Sequence, residues 1–581
     1  MVFPRNIQTS RSADLVTFKV LIDGTELSAS VNVLNISVEK EINRMPSAKL
    51  VITDGDPASQ EFSVSNESTL IPGKEIEIKA GYHSDEETIF KGVIIKHSLK
   101  IRPQYSLLVV ECRDKALKLT SGRKSKYFTD SKDSEIIDEI IASYGLESDV
   151  GPTTQQHKEL VQFDCTDWDF IVTRAQANGK ICIVDDGKII VKAPDFSQSE
   201  LQTVVFGSTL LDFDAEIDAR NQFSKVTSYA WDQSKQEVSE AEAADPSVAL
   251  NGNLTPSDLA SVIDTENLKL TYGGTTSDGS IQDWANARTL FNQLSKVRGR
   301  LKFQGIPACK PNTTLMLQGV GDRFNGKIYI SAIRHEITEG QWTTDAQFGV
   351  NPAWFSESVN IASLPASGLF AAIHGLQIGI VTQLESDPNN EHRIKIRCPL
   401  IDNTSDGIWA RIASLDAGNE RGTFFLPEIG DEVIVGFIND NPNDAVVLGM
   451  LNSSAKPAPL QASDDNHEKG FVTRSKIKFI FNDDKKSVLL ETPGSQRILI
   501  DDDAGEIKVE DKNGNKMVMD SSGIVLESAK DLTLKATGDI KIEGVNITAS
   551  ASAQFKGEGS AGAEISTSAV AKLKGSLVQI N

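Results

Sequence analysis

From Ser487 to Asn581 the apolar residues recur in pairs two positions apart: Val488/Leu490, Ile498/Ile500, Ile507/Val509, Met517/Met519, Ile524/Leu526, Leu532/Leu534 and Ile540/Ile542. The series thins to single positions at Ile547, Phe555, Ile565 and Leu573, and successive anchors lie 7 to 10 residues apart. Between them stand Pro493-Gly494, Gly505, Asn513-Gly514, Gly523, Gly538, Gly544, Gly559 and Gly562. Period-two alternation predicts short strands with one apolar face, and the Gly and Asn-Gly positions reverse the chain between them. A short, near-constant spacing over this length predicts a repeat architecture rather than a globular domain.

A single ribbon of this kind leaves two open strand edges and an uncovered apolar face. Three identical chains braided about one axis remove both problems, since each edge meets a neighbour and the anchors turn inward. After Asp531 the single aromatic residue is Phe555 and the fillers are Ala, Ser, Thr and Gly, which suits a narrow prism. The expectation is an intertwined homotrimeric β-prism over 487–581 with all of these anchors in its axial core. A single-chain β-helix is the alternative, and its rungs need longer turns and a broader core.

Upstream the alternation continues. VTFKVLIDG, SVNVLNISVEK, SAKLVITDG, KEIEIKAGY, TIFKGVIIKHSLKI and YSLLVVECRD predict strands rich in β-branched residues. DSEIIDEIIASYG predicts a helix capped by Ser134 or Asp133, with Ile136, Ile137, Ile140 and Ile141 as its stripe and Gly145 at its end. TDWDFIVTRAQANG predicts a second helix, with Asp167 and Asp169 as cap and first-turn acid rather than a catalytic pair. A hairpin turned at Asp186-Gly187 follows. Residues 233–281 are polar, small and acidic and predict a long loop or an inserted excursion. A helix over DWANARTLFNQLSKVRG, ended by Gly299, and the strands RLKFQGI, TTLMLQGV, GKIYISAIRHEIT and QWTTDAQFGV close the region.

Short strands recur in LQIGIVTQLESDPNNEHRIKIRCPL and in IWARIASLDAGNERGTFFLPEIGDEVIVGFINDNPNDAVVLGMLNS. Phe424, Leu426, Val433, Val435 and Phe437 alternate toward a barrel core, while Pro427 and Gly430 shape a tight turn with Asp431 and Glu432 at its solvent end. The predicted division is therefore 1–365, 366–455, a linker or neck at 456–486, and the repetitive segment 487–581.

Hydrophobic content of 39% and charged content of 24% describe an ordinary water-soluble composition. No apolar run approaches the roughly 20 residues of a membrane span. MVFPRNIQTSRSADL lacks the apolar core of a secretory signal, so the protein is expected in the cytoplasm unless a dedicated machine exports it. A net charge of −22 disfavours nucleic acid, and the acidic loops around Asp387 and at NDNPNDAV argue against a single-strand-binding groove. The five cysteines, Cys112, Cys165, Cys182, Cys309 and Cys398, are scattered without a CxxC pair and predict buried free thiols. His374, His392 and His467 stand alone, and no HExxH, GxSxG or phosphate-binding loop occurs. Asp501-Asp502-Asp503 sits on a repeat turn and reads as a solvated charge run rather than a metal site. Neither catalysis nor a cofactor is expected.

The order GKEIEIKAGY, IFKGVI, CRDKALKLTSGRKSKYF, TDWDFIVTRAQANGK and GDRFNGKIYISAIRHEITEGQWTTDAQFG resembles the N-terminal part of VgrG proteins, whose hub fold is that of contractile phage tails. Trp409-Ala410-Arg411, the run Gly422 to Val433 (with Phe425, Pro427, Gly430 and Asp431) and Val447-Leu448-Gly449 resemble the signature of the VgrG and phage-spike OB-type barrel. The resemblance implies two barrel-like hub domains in a ring of three, an OB-fold collar and a mainly β chain with a few short helices. It further implies inner-tube and baseplate partners at the N-terminal ring, and a PAAR-type tip protein with possible effector cargo on Leu577, Val578 and Ile580. Relatives that carry an enzyme hold it between barrel and needle or after the needle. Here about 30 residues separate barrel from repeats and the sequence ends after the last one, so no room is expected for one. The implied function is a mechanical spike of a contractile injection system, assembled in the bacterial cytoplasm and delivered on firing. A trimeric adhesin, shown by receptor binding, and a lytic hydrolase, shown by peptidoglycan degradation, are the rival readings.

Overall fold

The computed structural model describes residues 15–248, 251–264 and 267–580. The stretch read above for a secretory signal lies outside them as far as Asp14, as does Asn581. Two compact units divide between Ala372 and Ile373.

The first unit is built on a thirteen-stranded sheet. One lobe comes from β1 (Val16–Ile22), β2 (Val33–Glu41), β3 (Ser47–Thr53), β4 (Glu75–Tyr82), β5 (Asp85–Arg102) and β6 (Tyr105–Arg113). Alternate residues turn inward, so that Ile36, Val38, Leu50, Ile52, Ile76, Ile78, Leu108 and Val110 form one core. The other lobe uses β7 (Asp212–Ile217), β8 (Val297–Gln304), β9 (Gly326–Thr338) and β10 (Gln341–Phe348) around Leu301, Phe303, Leu317, Ile330 and Phe348. A seam joins the lobes, where β9 pairs antiparallel with β2 from Ala332/Glu41 to Thr338/Asn35. The sheet runs β7–β8–β10–β9–β2–β3–β6–β5–β4–β1.

Beside the seam, Trp342 stacks on Tyr82 with centroids 5.5 Å apart, and the ring of His335 lies 5.6 Å from it. Tyr82 donates its hydroxyl to the Gly305 carbonyl at 2.9 Å. Gly305 has to lack a side chain, because a Cβ there would fall 2.1 Å from the indole. His335 is buried with Nδ1 2.9 Å from Thr344 Oγ1. Burial first, then the charge of Lys40, pushes its pKa down to about 3. The unfolded chain takes up this proton as pH falls through about 6.5, and the native state does not until about 3. Stability is thus fully present above pH 6.5 and drains as pH falls toward 3, by up to about 1.4 kcal/mol per pH unit. Unfolding measured at pH 6.5 and 5 is expected to show a smaller acid loss in His335→Gln than in the wild-type protein; equal losses would rule this origin out.

Against the sheet lies a helical layer. Helix α1 (Asp133–Ala142) buries the predicted isoleucines, but its N-cap is Lys132, so neither Ser134 nor Asp133 caps it. Asp133 is instead a buried ion-pair hub: Arg174 donates from Nε at 2.6 Å and Nη2 at 2.9 Å, Asn178 Nδ2 donates at 2.9 Å, and His157 Nε2 lies 3.0 Å away. Burial alone would raise this carboxyl's pKa, yet the bonds from His157 and Arg174 overcome it and hold the group well below the carboxylate range. Helix α2 (Asp167–Ala177) is capped by Thr166, and Asp167 is a buried first-turn acid bound by Lys124, Tyr144 and Gln162. Helix α3 (Asp278–Leu294) stops at Ser295; Gly299 lies inside β8, where the Asp214 carbonyl would meet a Cβ at 2.3 Å.

The polar segment 233–281 is not a loop throughout. Its described residues contribute strands Glu237–Glu242 and Asn267–Tyr272 on either side of Lys225–Asp232. Hydrogen bonds within that three-stranded sheet and its cover by α3 hold it, which is why so few apolar residues suffice.

The second unit opens with a closed barrel of β11 (Gln377–Gln383), β12 (Ile394–Arg397), β13 (Ile408–Ile412), β14 (Glu432–Phe437) and β15 (Ala445–Met450). Val381, Ile396, Val433, Val435 and Val447 fill it, with Leu426 and Phe437 packed at its margin. Phe424 departs from the expected alternation and is 85% exposed, because residues 423–431 form an irregular loop rather than a strand.

Candidate assembly face and tip

The ribbon is a seven-stranded antiparallel meander: β16 (Glu468–Val472), β17 (Lys478–Asn482), β18 (Ser487–Glu491), β19 (Arg497–Asp501), β20 (Glu506–Glu510), β21 (Lys516–Asp520) and β22 (Gly523–Glu527). It begins inside the stretch expected to be a linker. Turn chemistry sets the reversals. Gly505 and Gly514 have φ of 65° and 90°, and Asp511 accepts the backbone N–H groups of Asn513 and Asn515 at 2.9 Å each. Asp501, the first of the three consecutive acids, likewise accepts the Ala504 N–H at 2.9 Å and is a turn residue.

Register places the apolar pairs in two columns on one face. Phe479, Leu490, Ile498, Val509, Met517 and Leu526 follow one another across the strands, and Phe481, Val488, Ile500, Ile507, Met519 and Ile524 form the second column. Most of this face is uncovered within the chain: Val509, Ile500 and Ile524 are 37%, 44% and 72% exposed, while Val488, Met517 and Met519 are half-buried. On the opposite face Leu489, Leu499 and Val518 are half-buried under a row whose charge alternates from strand to strand: Lys478, Glu491, Arg497, Glu510, Lys516, Glu527. Lys478–Glu491 and Lys516–Glu527 close at 2.9 Å. A one-residue slip would turn every anchor to this charged side, so pattern and charge fix the same register.

Among the described residues no strand follows Glu527. Leu532, Leu534, Ile540, Ile542, Ile547, Phe555, Ile565 and Leu573 are all exposed, as are Leu577, Val578 and Ile580. The chain alone brings together the anchors as far as Leu526 and none of the later ones.

Four signature residues, Phe425, Pro427, Gly430 and Asp431, lie in the loop 423–431 beside the ribbon, and the others lie in the barrel wall. Loop 423–431 returns onto β11, where Gly430 donates to the Val381 carbonyl at 2.8 Å and Val381 to that of Asp431 at 3.0 Å. Asp431 does more than face solvent: it accepts the Glu428 N–H at 2.9 Å and Lys456 Nζ at 2.9 Å. Burial would raise its pKa, and Lys456 with the Glu428 N–H lowers it below the usual value. Pro427 lies within this turn, Trp409 stands across from Lys395 on the barrel wall, Val447 is in the core and Gly449 pairs with Ile434. Phe425 stacks on Phe471 of β16 with centroids 5.2 Å apart, and Arg474 binds Glu428 at 2.8 Å. A double-mutant cycle on Phe425→Ala and Phe471→Ala is expected to give a coupling of about 0.5–1.5 kcal/mol. Additive losses would mean that the stack holds nothing.

Residues 12–339 match the family described as the Alg8 N-terminal domain, and residues 377–451 match the type VI secretion system/phage-baseplate injector OB domain. The chain is 30% identical over 80 residues to the type VI secretion system spike protein VgrG3 of Vibrio cholerae, and 29% identical over 110 residues to spike protein VgrG4b of Pseudomonas aeruginosa. Those stretches are 13% and 19% of this chain, and only 8% and 11% of the two relatives' lengths. It is also similar to an Escherichia coli type VI secretion component itself likened to T4 tail proteins, at 11% identity and a TM-score of 0.37, over 74% of this chain and all of that one.

Proposed function

We propose, because the chain belongs to the Alg8 N-terminal-domain family and to the VgrG and contractile phage-tail spike proteins, that it is the homotrimeric central spike of a contractile injection system. The carrying observation is the largely uncovered two-column apolar face from Phe479 to Leu526, prolonged by a segment with no strand partner among the described residues. Two further copies would supply both the cover and the missing ladder, giving a prism over 487–581 whose strands are tied between chains at every level. Such a rod resists buckling, so sheath contraction behind it would concentrate force on a small area of target envelope. The sheet-built first unit would form the ring that seats on the inner tube and baseplate proteins. Leu577, Val578 and Ile580, repeated threefold, would form the apolar seat of a PAAR-type tip protein with its cargo. In this reading the protein is assembled in the bacterial cytoplasm, leaves it with the particle, and carries out no catalysis. Light scattering on the purified protein is expected to return a threefold multiple of 63.1 kDa, and a mass of 63.1 kDa would refute the reading.

A further inference from the structure

The sheet of the first unit has two free edges whose chemistry is complementary. At one end, β7 pairs with β8 alone. Toward the other end, β4 pairs only with the first half of β5, as far as Val93, so that Lys96–Arg102 is bonded to β6 alone. Six strands lie between these edges.

Register gives the sheet one mainly apolar face from strand to strand, interrupted by the buried Lys40 opposite Ile333. On the apolar side, Phe213 stands opposite Leu301, Leu301 opposite Ala346, and Ile337 opposite Ile36. The row continues through Leu50 and Val110 to His97, held by Ser65 and the Leu70 carbonyl, and beyond it on the same face Leu99 and Ile101 are 43% and 61% exposed. On the other side every strand presents a charge and the sign alternates. Asp212 faces Lys302, Lys302 faces Asp345, Asp345 faces Arg334 and Arg334 faces Glu39. Lys49 follows on β3, faces Glu111, and Glu111 faces Lys96. The row starts with an acid and finishes with a base.

Each edge reinforces its own sign. Between Glu87 and Glu111 there is no acidic residue, and among the described residues neither Lys100 nor Arg102 has a carboxylate partner. On β7, Asp212 and Asp214 share Arg300 with Asp345, which leaves that edge acidic. Lysines on an edge strand commonly guard against strand addition. Here the matching acidic edge closes the same sheet, and the apolar residues match on the reverse face as well. At the sheet's far end, the outer side of β1 is taken in its second half by Thr25–Glu26, and Leu27 donates to the Val20 carbonyl at 2.8 Å.

We infer that Lys96–Arg102 of one copy adds edge to edge onto Asp212–Ile217 of the next, so that the sheet runs on through successive copies with Lys100 and Arg102 beside Asp212 and Asp214, and Leu99 and Ile101 beside Phe213 and Ile217. A head-to-tail contact of this kind closes into a ring. This inference rests on the threefold reading above and specifies its hub interface.

The test is disulfide trapping in the full-length protein carrying both Lys100→Cys and Asp214→Cys, two exposed positions. Mild oxidation is expected to give covalent dimers and trimers on denaturing gels, while each single variant stays a monomer band. In parallel, Lys100→Glu/Arg102→Glu is expected to lower the concentration-dependent trimer fraction at least tenfold, with recovery on adding Asp212→Lys/Asp214→Lys. A wild-type protein of threefold mass whose double-cysteine variant gives no more ladder than the singles would overturn this interface and leave the spike reading standing. A wild-type monomer would overturn both.

Discussion

Replacing Ile540 and Ile542 together with aspartate is expected, on the proposed threefold assembly, to convert trimer to monomer while leaving the thermal unfolding of the first unit unchanged. These two positions are diagnostic because they are 54% and 67% exposed and outside any strand in the single chain. A charge there costs an isolated chain almost nothing. In a threefold prism the same substitution would place six carboxylates around one narrow axis. Each would be desolvated at a cost of several kcal/mol and repelled by its neighbours. Ile507→Asp lacks this clarity, since β20 is part of the ladder within one chain. Light scattering across a dilution series reads the outcome directly. A double variant that stays trimeric would show that the segment past Glu527 takes no part in assembly.

The second large effect is expected at Trp342. Trp342→Ala removes the indole that Tyr82 and His335 lie against, beside the carbonyl of Gly305. Such a truncation in a closed core costs about 3–5 kcal/mol, part of it as residual cavity. The indole Nε1 is buried without a hydrogen-bond acceptor. Trp342→Phe therefore loses area but also removes an unpaired donor, and its cost is expected to fall below about 1.5 kcal/mol. Denaturant unfolding of both variants distinguishes volume from polarity. Equal losses in the two would mean that the ring's size beyond six atoms matters most and that the orphan N–H costs little.

The strands of both lobes and the barrel could be read from alternation because each has one buried face, and period two survives wherever that holds. The ribbon was legible for the same reason. Its first two strands obey the same rule through Phe471, Phe479 and Phe481, but their aromatic anchors fall before the regular spacing begins. Strands Glu237–Glu242 and Asn267–Tyr272 were hidden by composition, since a sheet covered by one helix needs few apolar residues. Phe424 shows the converse failure: alternation in sequence predicts nothing where the backbone is not extended. Strand β7, Asp212–Ile217, alternates acids with Phe213, Ala215 and Ile217, yet its place at the sheet's edge follows from pairings with residues near 300, which no local pattern reveals. The same holds for the ion-pair hub at Asp133, whose partners lie up to 45 residues away.

The seam between the lobes also has a consequence in time. Every ribbon strand pairs with the next one in sequence, whereas Asn35 meets Glu336 across 301 positions. At a ribosomal rate of about 5–20 residues per second, β2 therefore waits on the order of 15–60 s for β9 to emerge. Throughout that interval the nascent chain carries an open strand flank, so the two-lobed sheet, rather than the ribbon, is the part of this molecule whose synthesis most needs shielding from its neighbours.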